Sequence, residues 1–187
     1  MQVTKTNLDG VLILEPKVFG DARGWFMETW SARKFEAAGL NFNFVQDNQS
    51  YSAQRGTLRG LHYQTAPFAQ AKLVRCTRGK LLDVAVDIRE GSETFAKWVA
   101  VELTAENKKQ LLIPRGFAHG FLTLTDDVEI QYKVDNFYAP NCDGNIIWND
   151  SEIKIDWPFA PTILAEKDAK APTLRERLTR GELKFSD

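Results

Sequence analysis

Short runs of alternating apolar and polar residues, broken by glycines and acidic pairs, dominate this chain. That period constrains it strongly. Strand side chains alternate between two faces, whereas helical ones return to one face every three or four residues. VLILEPKVF (11–19), GWFMETW (24–30), FNFVQ (42–46), TLRGLHYQ (57–64) and AKLVRCT (71–77) read as strands. So do KLLDVAVDIR (80–89), WVAVEL (98–103), QLLI (110–113), GFLTL (120–124) and VEIQYKV (128–134). Gly10, Gly20, Gly56, Gly79, Gly91 and the Asp126-Asp127 pair punctuate them. Helical signal is thin. SARKFEAAG (31–39) has Ser31 as an N-cap and Gly39 as a stop, and APTLRERLTRG (171–181) runs from near Pro172 to Gly181. No repeat, linker or low-complexity tract divides the chain, so residues 1–187 read as one domain. The pattern predicts an all-β sandwich or barrel with a small helical tail.

Charge and composition exclude several function classes. A formal net charge of −1 offers no global attraction to nucleic acid or an anionic membrane. No apolar run approaches the ~20 residues of a membrane span, and MQVTKTNLDG lacks the apolar core of a signal peptide. Cys76 and Cys142 make no disulfide framework and no CxxC motif, so both read as inert thiols of a reduced, cytoplasmic protein.

Strand alternation then sorts the polar residues. Tyr132 shares a face with Val128, Ile130 and Val134, opposite the solvated Glu129, Gln131 and Lys133. Lys72 shares a face with Val74 and Cys76, His62 with Leu58 and Gly60, and His119 with Phe117 and Phe121. Taken singly, each tyrosine or histidine reads as a satisfied core residue. Together they place Lys, His, His and Tyr on four strands that converge inside one barrel. Polar groups converging in an apolar cavity are the usual mark of a binding site.

Two of these segments, RGLHYQ (59–64) and IPRGFAHGF (113–121), resemble the paired motifs of the cupin jelly rolls. The second has the PxGxxH form. A metal-binding cupin typically needs an HxH pair and a Glu in the first motif plus the second-motif His. Here the first motif reads His62-Tyr63-Gln64, and the chain has only two histidines. That argues against a catalytic metal.

Within the cupins, the chain resembles the dTDP-4-dehydrorhamnose 3,5-epimerases. The likeness runs through GDARGWFMETW, FVQDNQSYSAQRGTLRGLHYQ, VRCTRGKLLDVAVDIREGSETF, IQYKVDNFYAP, IIWND, IDWP and EKDAKAP. It implies a cupin-type double-stranded β-helix with short peripheral helices. It also implies a homodimer, no cofactor, and a dTDP-4-keto-6-deoxyhexose substrate.

Epimerisation beside a ketone needs a base, a group to hold the enolate oxygen, and an acid on the other face. The resemblance makes His62 the base, Asp168 its orienting partner, Lys72 the enolate-stabilising cation and Tyr132 the proton donor. It places Arg23, Glu28, Gln46, Asp47, Asn48, Arg59, His119, Asp143 and Lys167 at the substrate, with Phe19 and Tyr138 beside the nucleotide. Arg23 and Arg59 suit a diphosphate because a guanidinium donates bidentately. The chain departs from many members at Asp143 (Glu), Asn145 (Gly), Tyr138 (Trp) and Ala165 (Ser). Three other readings stay open: an epimerase acting at one carbon, a non-catalytic sugar-nucleotide-binding cupin, and a metal-dependent cupin enzyme.

Overall fold

The computed structural model describes residues 1–185. In chain order its elements are β1 (Gln2–Lys5), β2 (Leu12–Glu15), β3 (Val18–Asp21), β4 (Gly24–Met27), α1 (Ala32–Ala37), β5 (Gln46–Ser52), β6 (Leu58–Gln64) and β7 (Lys72–Arg78). There follow β8 (Lys80–Asp87), β9 (Trp98–Thr104), β10 (Gln110–Ile113), β11 (Phe117–Thr123), β12 (Val128–Val134), β13 (Asp143–Asn145), α2 (Glu166–Ala169) and α3 (Leu174–Thr179). A six-stranded sheet has the order β1-β2-β10-β7-β12-β5, and a five-stranded sheet the order β13-β6-β11-β8-β9. β3 and β4 form a separate hairpin. This is the expected jelly roll with short peripheral helices.

The two large sheets bury a common interior. β7, β10 and β12 supply Val74, Leu111 and Ile130, and β8, β9 and β11 supply Leu81, Leu103 and Phe117. Each such side chain contributes roughly 1.5–3 kcal/mol by leaving water. β8 is buried on both faces. Leu81 and Ala85 point inward, while Val84, Val86 and Ile88 face an outer cluster covered by Ile153, Leu174 and Leu183 of the C-terminal segment. Outside the six-stranded sheet, Leu14, Leu73 and Leu112 pack under Phe35 of α1.

Several boundaries differ from the sequence pattern. The run 11–19 is split at Pro16, which cannot donate to a ladder, into β2 and β3. FNFVQ is no strand. Phe42 and Phe44 stack at 5.9 Å, and Phe44 meets Trp30 edge-on at 5.9 Å, closing the cluster over α1. The strand is the next segment, β5, which is polar throughout. GWFMETW ends as a strand at Met27, and β11 begins at Phe117, three residues before the predicted run. β1, β13 and α2 have no counterpart in the pattern. α1 carries Ser31 at its N-cap without a side-chain bond. α3 starts not at Pro172 but at a capping box, where the Thr173 hydroxyl accepts from the Glu176 amide and the Glu176 carboxylate accepts from the Thr173 amide. Gly39 and Gly181 stop the two helices at φ of 74° and 64°, as their positions predict.

Candidate active site

The site is built around the pairing of β6 with β11, where His62 lies directly opposite His119. The strands cross unusually closely at two glycines. A Cβ on Gly60 would stand 2.5 Å from Gly120 Cα and 2.9 Å from the His119 carbonyl oxygen. Gly60 also has φ of 132°, which excludes larger residues. The ladder shifts register just past His119, and both imidazoles turn toward the space between the sheets.

Each histidine has its own carboxylate. His62 Nε2 lies 2.6 Å from Asp168 Oδ1, and Asp168 Oδ2 accepts from the Gly60 amide at 3.2 Å. Asp168 comes from α2 and is buried. Burial pushes its pKa up, but the bonds from His62 and Gly60 outweigh that and hold it below the usual carboxylate range. His119 Nε2 lies 2.7 Å from Asp83 Oδ1 on the neighbouring strand β8. Burial pushes the pKa of His119 down against the pull of Asp83, keeping it neutral.

Lys72, on β7, is buried as its strand face requires, and Nζ donates to the His62 carbonyl at 3.5 Å. Burial lowers its pKa to about 8, with Asp83 and Asp143 resisting the shift. Tyr132, on β12, packs inward against the core, and burial raises its phenol pKa so that the proton is retained. His62, Lys72, His119 and Tyr132 line a cavity of about 520 Å³ together with Arg59, Lys167 and Asp168. A second cavity of about 250 Å³ adjoins it through His62, Lys72, Tyr132 and Lys167, and adds Gln46, Asn48, Tyr138 and Asp143. β5 explains its own polarity here. Gln46, Asn48 and Ser50 alternate inward and face these cavities instead of a dry core.

Four residues named from the sequence lie elsewhere. Phe19 and Arg23 sit on the exposed β3–β4 hairpin, where Arg23 pairs with Asp21 at 2.6 Å. Glu28 pairs with Lys34 at 2.8 Å. Asp47 alternates to the outer face of β5 and pairs with Lys133 at 2.8 Å. Two residues escaped the sequence reading. Asp83 shares the apolar face of Leu81 and Ala85, and an acid on such a face was the available signal. Gln64 fastens the loop carrying Tyr138, donating to the carbonyls of Phe68 (2.6 Å) and Phe137 (3.1 Å) and accepting from the Ala139 amide at 2.8 Å. Among the described residues, no three His, Cys, Asp or Glu side chains cluster closely enough to hold a metal ion.

A carboxylate-backed imidazole, a protonated phenol and a buried amine around one cavity form an acid–base site for carbon acids. Fold and site define a cupin-type isomerase. More narrowly, the chain belongs to the dTDP-4-dehydrorhamnose 3,5-epimerase family, whose model matches residues 5–176. The dTDP-4-dehydrorhamnose 3,5-epimerase of Salmonella typhimurium is 54% identical over 180 residues, which are 95% of this chain and 98% of that one. The solved structure of the Legionella pneumophila enzyme RmlC in complex with dTDP-4-keto-L-rhamnose superposes with a TM-score of 0.93 at 43% identity, covering 100% of this chain and 98% of that one. ChmJ, a 3′-monoepimerase from Streptomyces bikiniensis solved with dTDP-quinovose, gives a TM-score of 0.90 at 36% identity, over 96% of this chain and 91% of that one.

Proposed function

We propose that this enzyme converts dTDP-4-keto-6-deoxyglucose to dTDP-4-keto-rhamnose by inverting C3 and C5. One observation carries the mechanism. His62 stands on the five-stranded sheet and Tyr132 on the six-stranded sheet, so base and acid face one cavity from opposing walls. Removing a proton from one face of the sugar and returning one to the other inverts the carbon.

His62 takes the proton beside the ketone, and Asp168 stabilises the imidazolium that forms. The C–H electron pair moves into the enolate, whose oxygen the Lys72 ammonium holds. Tyr132 protonates the carbon from the opposite side. Solvent then restores the phenol and takes the imidazolium proton. His119, kept neutral by burial, contacts substrate oxygen and leaves the base role to His62. Neither a cofactor nor a metal enters these steps. Arg59 and Lys167 meet the diphosphate, Gln46, Asn48 and Asp143 line its path, and Tyr138 stacks on the base.

Phe19, Arg23 and Glu28 line neither cavity of their own chain, so they reach substrate by serving a second copy. A homodimer supplies that copy. Among the described residues no helix is long and apolar enough to cross a membrane, in keeping with a cytoplasmic biosynthetic enzyme.

A second reading, inversion at C3 alone, follows from the likeness to the 3′-monoepimerase. Incubation with dTDP-4-keto-6-deoxyglucose in deuterium oxide, with chelator present, separates the two by NMR. Deuterium at C3 and C5 is the expected result. Deuterium at C3 alone establishes the second reading, and deuterium at neither carbon refutes both.

A further inference from the structure

Asp168 is presented by α2, a helix of only four residues, too short to hold itself in place. Besides the Gly60 amide of β6, it is gripped from β13. Asn145 lies directly opposite His62 in the β13–β6 ladder, so the two side chains leave the sheet on one face. Asn145 Nδ2 donates to the Lys167 carbonyl at 3.1 Å, one residue before Asp168. Asp143, at the other end of β13, takes the Lys167 ammonium. The Asn145 amide is oriented in turn by α3: Arg177 Nη2 donates to Asn145 Oδ1 at 2.7 Å, and Arg177 Nε to the Asn145 carbonyl at 2.9 Å. Glu182 holds that guanidinium at 2.6 Å. Asn145 is buried, so the bonds its own amide and carbonyl make are shielded from competing water.

We propose that Asn145, locked by Arg177, is a positioning residue that fixes α2 so that Asp168 stays on His62. The C-terminal helix α3 is thereby tied to the acid–base pair through one side-chain amide and one backbone carbonyl. This rests on the reading of His62 and Asp168 as the working pair. Asn145 touches neither cavity centre nor reacting carbon. Its loss is predicted to slow turnover without weakening substrate binding, because a base displaced by a fraction of an ångström loses rate first.

The test is a double-mutant cycle on the full-length enzyme with dTDP-4-keto-6-deoxyglucose. Asn145→Ala is expected to lower kcat about tenfold with KM within about twofold. In an Asp168→Asn background the same change is expected to cost less than about twofold, since the device has nothing left to position. Asn145→Asp keeps the acceptor for Arg177 but loses the donor to Lys167, and is expected to match Asn145→Ala. If Asn145→Ala does not fold, Asn145→Asp and Arg177→Met carry the cycle with the same expectations. Full additivity in the cycle, or wild-type kcat in Asn145→Asp, overturns the proposal while leaving the acid–base reading intact. Wild-type turnover in Asp168→Asn alone defeats that underlying reading and the proposal together.

Discussion

The two His–Asp pairs are chemically alike and structurally opposite. His62–Asp168 and His119–Asp83 have separations of 2.6 and 2.7 Å, and their histidines are neighbours across one ladder. Yet the His62 side chain is 35% exposed and that of His119 only 9%. Asp83 comes from the adjacent strand of the same wall, whereas Asp168 arrives on a helix more than a hundred residues along the chain. A dyad's chemistry is set by access and by what carries the carboxylate. One imidazole is open to the cavity, as the proposed base must be. The other is mostly buried and neutral, and reaches the same cavity only at its edge.

Deleting each histidine should separate the two pairs most strongly. His62→Ala is expected to lower kcat by about 10³–10⁴-fold and to abolish deuterium uptake, the range for a lost general base. His119→Ala is expected to cost about 10–100-fold, as for one lost oxygen contact. Equal losses would make the two pairs equivalent and sink the assignment.

Lys72 lies between the pairs and sharpens their contrast with a change of sign. Its folded pKa of about 8 is below the unfolded value of ~10.4, so the unfolded chain holds the proton more tightly. This lysine therefore costs stability at neutral pH, and the cost shrinks as pH rises from about 8 toward ~10. Lys72→Met is expected to lower turnover by more than about 100-fold yet raise stability at pH 7 by about 1–3 kcal/mol, read by urea unfolding. A variant that is both inactive and destabilised would show that Lys72 holds the fold instead of opposing it.

The carboxylates should separate in the same way. Asp83→Asn is expected to cost about 1–3 kcal/mol of stability, because buried polar partners are left mismatched. Asp168→Asn is expected to cost a similar ~1–3 kcal/mol, since it too is buried with two partners, but a larger share of kcat. Thermal melts and steady-state rates on the same samples check the difference.

The smallest expected effect concerns pH. The folded pKa of His119 is depressed, so stability falls as pH drops below the unfolded value of ~6.5. In His119→Gln that slope is expected to flatten measurably in unfolding curves between pH 5 and 7, where a histidine titrates. An unchanged slope would mean that another group carries it.

Legibility in the sequence followed the dryness of each face. β12 could be read to the residue because Val128, Ile130 and Val134 alternate with solvated partners. Tyr132 and Lys72 were visible as polar intruders on such faces, and both do point inward. β5 was hidden because its inward residues line the cavities instead of a dry core, and the apolar Phe42 and Phe44 just before it imitated a strand. Asp83 was legible in principle, as an acid between Leu81 and Ala85. Asp168 was not, except by family resemblance. No local pattern tells a carboxylate on a one-turn helix which distant imidazole it will meet. Nor does any spacing tell Asn145 that it will lie beside His62.

The polarity of β5 also bears on solubility. The strand sits at an edge of the six-stranded sheet, with backbone donors and acceptors on one side unpaired by any strand of its own sheet. Edges of that kind recruit foreign strands most readily when they are long, flat and hydrophobic. Gln46 to Ser52 reads QDNQSYS, with a single aromatic and an acid facing outward. The composition demanded by the cavity on one face thus leaves the sheet a poor template for cross-β growth on its open side.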